Sequence, residues 1–236
     1  MKLKHITFTG IDEHTSVYSL QSIKREFPLA EFGVLMSKNW KTNGNRYPDP
    51  ETIARFTGKG LDLSAHLCGS IAREAYAGDF VPVVGKYPIF TNNDFKRVQL
   101  NVAPYGEIFE TAGTPENTFD KEIIIQQRSN SLKDTTAFIR FDAKNPNTNV
   151  TMLVDPSGGN GIDSGLDIIA TPYKTGYAGG INVDNVEEKL RTLFEMETVG
   201  DFWIDMESGV RTNDWFDIDK VRKVLEICKG VIEKYD

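Results

Sequence analysis

Cysteine and histidine are scarce in this chain, at two and three residues out of 236. Cys68 and Cys228 lie far apart, and neither sits in metal-ligand spacing. That suits free thiols in a reducing compartment better than a disulfide framework. His5, His14 and His66 have no paired spacing either, so no metal site and no cofactor are expected. Long basic blocks are absent and the formal net charge is −7, which argues against a nucleic-acid partner. No apolar run approaches bilayer length, and "MKLKHITFTG" is too short in apolar residues for a signal peptide. The expectation is a soluble cytoplasmic protein with no membrane partner.

What the chain does have is rhythm. Strand-like runs fall at His5–Gly10, Ala30–Ser37, Leu61–Leu67, Lys96–Val102, Glu122–Gln127, Asn149–Asp155, Lys174–Gly180 and Asp201–Glu207. Helical patterns alternate with them: from about Thr15, over Pro50–Phe56, over "GSIAREAYAG", over Leu132–Phe141, and from an N-cap at Asn182. A weak helix is placed near Gly161–Ile169, and Asp79–Phe95 reads as an extended connection. Over the last stretch Ile218, Val221, Val224, Leu225, Cys228, Val231 and Ile232 recur at helical spacing, so Cys228 reads as a packed thiol. Short strands alternating with helices imply parallel βαβ units, and eight of them favour a closed α/β barrel. The whole chain, 1–236, is expected to form a single (βα)8 TIM-barrel domain.

Glycines punctuate the strand ends. "YAGGIN" puts Gly179 and Gly180 after the seventh strand, "ESGV" puts Ser208 and Gly209 after the eighth, and "PSGGNG", with Gly159, follows the sixth. Barrels of this class bind ligands at the C-terminal strand ends, often with a phosphate between the seventh and eighth loops. Glycine lets backbone N–H groups approach an anion closely. A phosphorylated, sugar-type small molecule is the expected partner. Phe202 and Trp203 read as core, whereas Trp40 and Tyr47, in a loop rich in Gly and Asn, read as lid residues.

Several segments resemble phosphoribosylanthranilate isomerases. "IDMESGVRTND" is similar to that family's Asp-Val-Ser-Ser-Gly-Val-Glu, "YAGGINVDNVEEKL" to its Leu-Ala-Gly-Gly segment, and "LVDPSGGNG" to Leu-Asp-Ser-x-x-Gly-Gly-Thr-Gly. "NRYPDPETI" and "VQLNV" resemble its Ser-x-Arg-Tyr-Val-x-Pro-Glu and Val-Gln-Leu-His-Gly. The resemblance implies an Amadori rearrangement of an N-phosphoribosyl arylamine to a 1-amino-ketose phosphate, as in tryptophan synthesis, without a cofactor. It implies Asp155 as general acid, with the raised pKa such an acid needs. It places Arg46 on the aromatic carboxylate, where a planar guanidinium binds in bidentate fashion, and Gln99 and Asn101 on the substrate wall.

The departures bear on the base. Thr9 stands where the family has its catalytic cysteine, Asn101 where it has histidine, and Ile162 where it has lysine. A threonine hydroxyl is a poor base near neutral pH. Asp12, His14 and His66 are the alternative bases, with Cys68 close to His66; each also reads as a cap, turn or packed residue. Three functions follow: an isomerase with a substituted base, a related phosphosugar enzyme of other specificity, and a non-catalytic binder of a phosphorylated molecule.

Overall fold

The computed structural model describes residues 2–76, 94–101, 121–127, 149–158, 161–163, 165–168, 173–197 and 200–235. Eight parallel strands close into a barrel in chain order: β1 (Leu3–Thr9), β2 (Ala30–Met36), β3 (Leu63–Cys68), β4 (Phe95–Asn101), β5 (Glu122–Gln127), β6 (Val150–Val154), β7 (Thr175–Tyr177) and β8 (Phe202–Met206). β8 pairs back onto β1, with Thr7 opposite Asp205. The described helices are α1 (Val17–Glu26), α2 (Pro50–Phe56), α3 (Ser70–Tyr76), α4 (Val186–Glu195) and α5 (Ile218–Tyr235). Ser16 and Asp49 cap α1 and α2 by accepting the Ser19 and Thr52 amides, and Pro50 starts α2 where its missing N–H costs nothing. Among the described residues no helix is long and apolar enough to cross a membrane.

Alternation along each strand sorts residues into two regions. Outward side chains such as Phe8, Phe32, Val98, Ile125 and Phe202 pack under the helices in one large cluster that includes Cys228. The inward apolar residues Ile124, Leu153, Ala178 and Trp203 form a separate small cluster. Leu35 adds one more apolar side chain on the cavity wall, and much of the rest of the described interior is polar. Thr7 Oγ1 and Arg97 Nη1 each donate to Glu31 Oε2 at 2.8 Å, while Arg97 Nε donates to Glu122 Oε1 at 3.2 Å. Lys174 also bonds Glu122, and the Arg97 guanidinium lies 4.2 Å from the Trp203 ring centroid. The lower interior is thus a buried ionic layer carrying an aromatic lid.

Trp203 fits because β7 carries no side chain beside it. A Cβ at Gly176 would stand 2.2 Å from a Trp203 ring carbon. Gly176→Ala should therefore overpack the interior at a cost of about 1–3 kcal/mol. The melting temperature should fall by roughly 2–4 °C for each kcal/mol in a chain of this size. An unchanged thermal melt would mean that the ring has free space to move into.

Some sequence expectations shift. β7 ends at Tyr177 because Gly179 and Gly180 adopt φ of 103° and 70°, which break the extended backbone. The following helix starts at Val186 with Asn185 at its cap, not at Asn182. Asn182 instead builds a turn, its side-chain oxygen accepting the Asp184 amide at 2.8 Å. A small antiparallel pair, Arg211–Thr212 with Trp215–Phe216, precedes α5 and was not expected. It turns on Asn213 and Asp214, both at positive φ. The described part of Gly161–Ile169 holds no helix. The expected helix at Leu132–Phe141 lies outside the described residues, as does nearly all of the Asp79–Phe95 connection.

Candidate active site

A cavity of about 310 Å³ opens at the C-terminal ends of the strands. Its wall includes Thr9 from β1, His66 from β3, Gln99 and Asn101 from β4, Gln126 from β5, and Asp205 from β8. Asp155, just past β6, and the glycine corners after β7 and β8 complete it.

The corners interlock. A Cβ at Gly209 would stand 2.0 Å from the Ile181 carbonyl oxygen, and one at Gly180 would stand 2.4 Å from the Asp163 amide nitrogen. A Cβ at Gly161 would meet the Ser208 side chain at 2.6 Å. Only glycine allows the loops after β6, β7 and β8 to close on one another here. The amides of Gly179, Gly180, Ser208 and Gly209 find no acceptor among the described residues. Gly158 and Gly161 share the wall, whereas Gly159 lies outside the described residues.

Below the corners sits a carboxyl group that sequence reasoning passed over. Asp205 is only 5% exposed, and Thr9 Oγ1 donates to its Oδ1 at 2.8 Å. Burial pushes its pKa up to about 8; the Thr9 hydrogen bond opposes this, and the nearby Glu207 and Glu31 charges add to it. The signal was present in "FWIDM", where strand alternation sends Trp203, Asp205 and Glu207 to one face. An aspartate on the inner face of a buried strand is costly unless it works or is paired.

The alternative bases fare differently. Thr9 and His66 share the cavity wall, with His66 Nε2 at 3.5 Å from Thr9 Oγ1 and 3.1 Å from Ser64 Oγ. Burial lowers the His66 pKa to about 4, so its imidazole is neutral at physiological pH. Asp12 does not line the cavity. Its carboxylate accepts from Arg211 Nη2 at 3.0 Å and from the Phe216 amide at 2.7 Å, tying the first strand's loop to the small antiparallel pair. His14 stacks on Trp215 with ring centroids 3.7 Å apart and lies off the cavity. Cys68 lines the wall, but burial pushes its thiol up to about 12, so it is not a thiolate at neutral pH.

Asp155 is only 4% exposed. It accepts from Gln126 Nε2 at 2.8 Å, Ser157 Oγ at 2.7 Å and the Ser157 amide at 3.1 Å. Gln99 donates to Asn101 at 2.9 Å, leaving Gln99 Oε1 buried without a partner among the described residues. Arg46 reaches the cavity from the loop after β2. Its Nη1 donates to Glu207 Oε1 at 2.6 Å and its Nη2 to Asp214 Oδ1 at 2.8 Å. Burial raises the Glu207 pKa, with the Arg46 charge opposing. Tyr47 lines this cavity, while Trp40 faces an adjacent one of about 250 Å³ that Tyr47 also borders.

No protein-family model and no curated protein sequence matches the chain. Solved structures do. N-(5′-phosphoribosyl)anthranilate isomerase from Pyrococcus furiosus is similar at a TM-score of 0.57 and 15% identity, over 96% of this chain and 99% of that one. The phosphoribosyl anthranilate isomerase of Thermococcus kodakaraensis gives 0.58 and 16%, over 97% and 100%. A truncated 3-deoxy-D-arabino-heptulosonate 7-phosphate synthase from Thermotoga maritima gives 0.58 and 12%, over 98% and 87%. At these identities the likeness establishes the barrel fold.

Proposed function

We propose that this chain is an aldose–ketose isomerase that performs an Amadori rearrangement on an N-phosphoribosyl arylamine. The phosphate is held by the amides of Gly179, Gly180, Ser208 and Gly209. Asp155 is the acid and Asp205 the base that replaces the missing cysteine. The observation that carries the reading is Asp205 itself: a buried carboxyl with a pKa near 8, hydrogen-bonded to Thr9, the residue at the position where the resemblance calls for a base. A base works best when its pKa lies near the operating pH. The similar structures, two phosphoribosylanthranilate isomerases and a 7-phosphate synthase, support the substrate class.

In this mechanism Asp155 protonates the furanose ring oxygen as the C1–O bond breaks and the amine nitrogen forms a Schiff base. Asp205 as carboxylate then removes the C2 proton, giving an enol-amine that is reprotonated at C1 to yield the ketose. Thr9 holds Asp205 in place and remains unchanged throughout.

The test is turnover of N-(5′-phosphoribosyl)aniline in D2O, followed by proton NMR. The expected product is the 1-amino-ketose phosphate with one deuterium at C1. Its rate should rise with pH on a limb centred near 8, about tenfold lower at pH 7 than on the plateau. Absence of conversion by folded protein rejects the isomerase reading, and a limb that falls above pH 8 gives the proton-donor role to Asp205 instead.

A further inference from the structure

The cavity is acidic where the resemblance calls for a free cation. Arg46 is the only lysine or arginine on its wall among the described residues, and it shares that wall with the carboxyl groups of Asp155, Asp205 and Glu207. Both terminal nitrogens of that guanidinium are already engaged, one by Glu207 and one by Asp214. Arg211 Nε approaches Asp214 at 3.5 Å, but its Nη2 is committed to Asp12 and to the Asp214 carbonyl.

A ligand carboxylate arriving here would either crowd a third negative group onto a guanidinium that already holds two, or displace one of those two acids. Displacing Glu207, whose side chain is 25% exposed, leaves a largely buried carboxylate beside an incoming anion. Taking the partner away from a largely buried charge is strongly unfavourable, because the charge that remains is uncompensated. The second oxygen of Glu207 also accepts no hydrogen bond among the described residues, so it offers an acceptor to the cavity.

Building on the phosphosugar reading above, we infer that the substrate's amine moiety carries no carboxylate and instead presents a hydrogen-bond donor, such as a carboxamide or amine, to Glu207. Glu207, with Arg46 held against it, is then the specificity-determining residue of the site. It discriminates by leaving the wrong ligand without a partner, a form of selection that outperforms simple shape fit.

The probes are three stable reduced analogues: 1-deoxy-1-(phenylamino)ribitol 5-phosphate unsubstituted, with a 2-carboxamide, and with a 2-carboxylate. Their dissociation constants are measured by calorimetry on the wild-type chain and on Glu207→Gln, with a thermal melt confirming that the variant is folded. The carboxamide should bind tightest and the carboxylate at least tenfold more weakly. Glu207→Gln should shrink that gap to about threefold by recovering the carboxylate, because one arm of Arg46 becomes available. A carboxylate analogue that binds as well as the carboxamide, or a gap that survives Glu207→Gln, overturns the inference and leaves the phosphosugar reading standing. If none of the three binds folded protein, the phosphosugar reading falls and the inference with it.

Discussion

Asp205→Asn should abolish turnover and stabilise the fold in the same variant. Loss of a positioned general base costs about 10²–10⁴-fold in rate. The stability change follows from linkage. Asp205 holds its proton up to about pH 8 in the folded chain, whereas an unfolded aspartate releases it near 3.9. The stability tied to that raised value is present in full below pH 4 and is lost as pH rises toward 8. Asparagine cannot ionise, so the variant should match wild type at pH 4 and exceed it by a few kcal/mol at pH 8. Thermal melts across that range, alongside kcat/KM, measure both effects. A variant that melts lower at pH 8 would show that Asp205 is structural, and one with unchanged kcat/KM would remove it from the chemistry.

Arg97→Met should be the most damaging single change beneath the cavity. Arg97 is 2% exposed and bridges Glu31 to Glu122, and the described residues give Glu31 no other ion pair. Glu122 keeps Lys174 and the Thr151 hydroxyl. Removing one member of a buried ion pair costs about 3–5 kcal/mol, because the partner stays buried and charged. For a chain of this length that lowers the melting temperature by roughly 10 °C. Methionine keeps much of the side-chain volume, so the loss is mainly electrostatic. Adding Glu31→Gln to Arg97→Met should recover a good part of it. If the second change deepens the loss instead, the layer is held by packing and not by charge.

The outer shell of the barrel was legible in the sequence because its signal is local. The apolar stripe from Val221 to Val231 forms the buried face of α5, and β5 runs from Glu122 to Gln127 as its apolar run implies. The interior was less legible because its contacts join residues far apart in the chain. Asp12 reads as a candidate base until Arg211 closes on it from across 199 positions. Arg46 reads as a free anion-binding arm until Glu207 and Asp214 occupy it. Asp205 was hidden for a different reason. Four apolar residues around it in "FWIDM" suggested core on both faces, and only closure of β8 onto β1 brings Asp205 beside Thr9 on the inner wall. The glycine corners were legible as positions, whereas their mutual approach, with Gly209 against Ile181, depends on barrel geometry.

The most direct measurement is the affinity of the folded chain for 1-deoxy-1-(phenylamino)ribitol 5-phosphate against the same molecule without its phosphate, by calorimetry. Hydrogen bonds to a charged group contribute about 1.5–3 kcal/mol each, so two corner amides alone should make the phosphorylated compound bind at least about 100-fold tighter. Equal affinities for the two compounds would contradict a dianion site at the β7 and β8 corners, and with it the reading of this barrel as a phosphosugar enzyme.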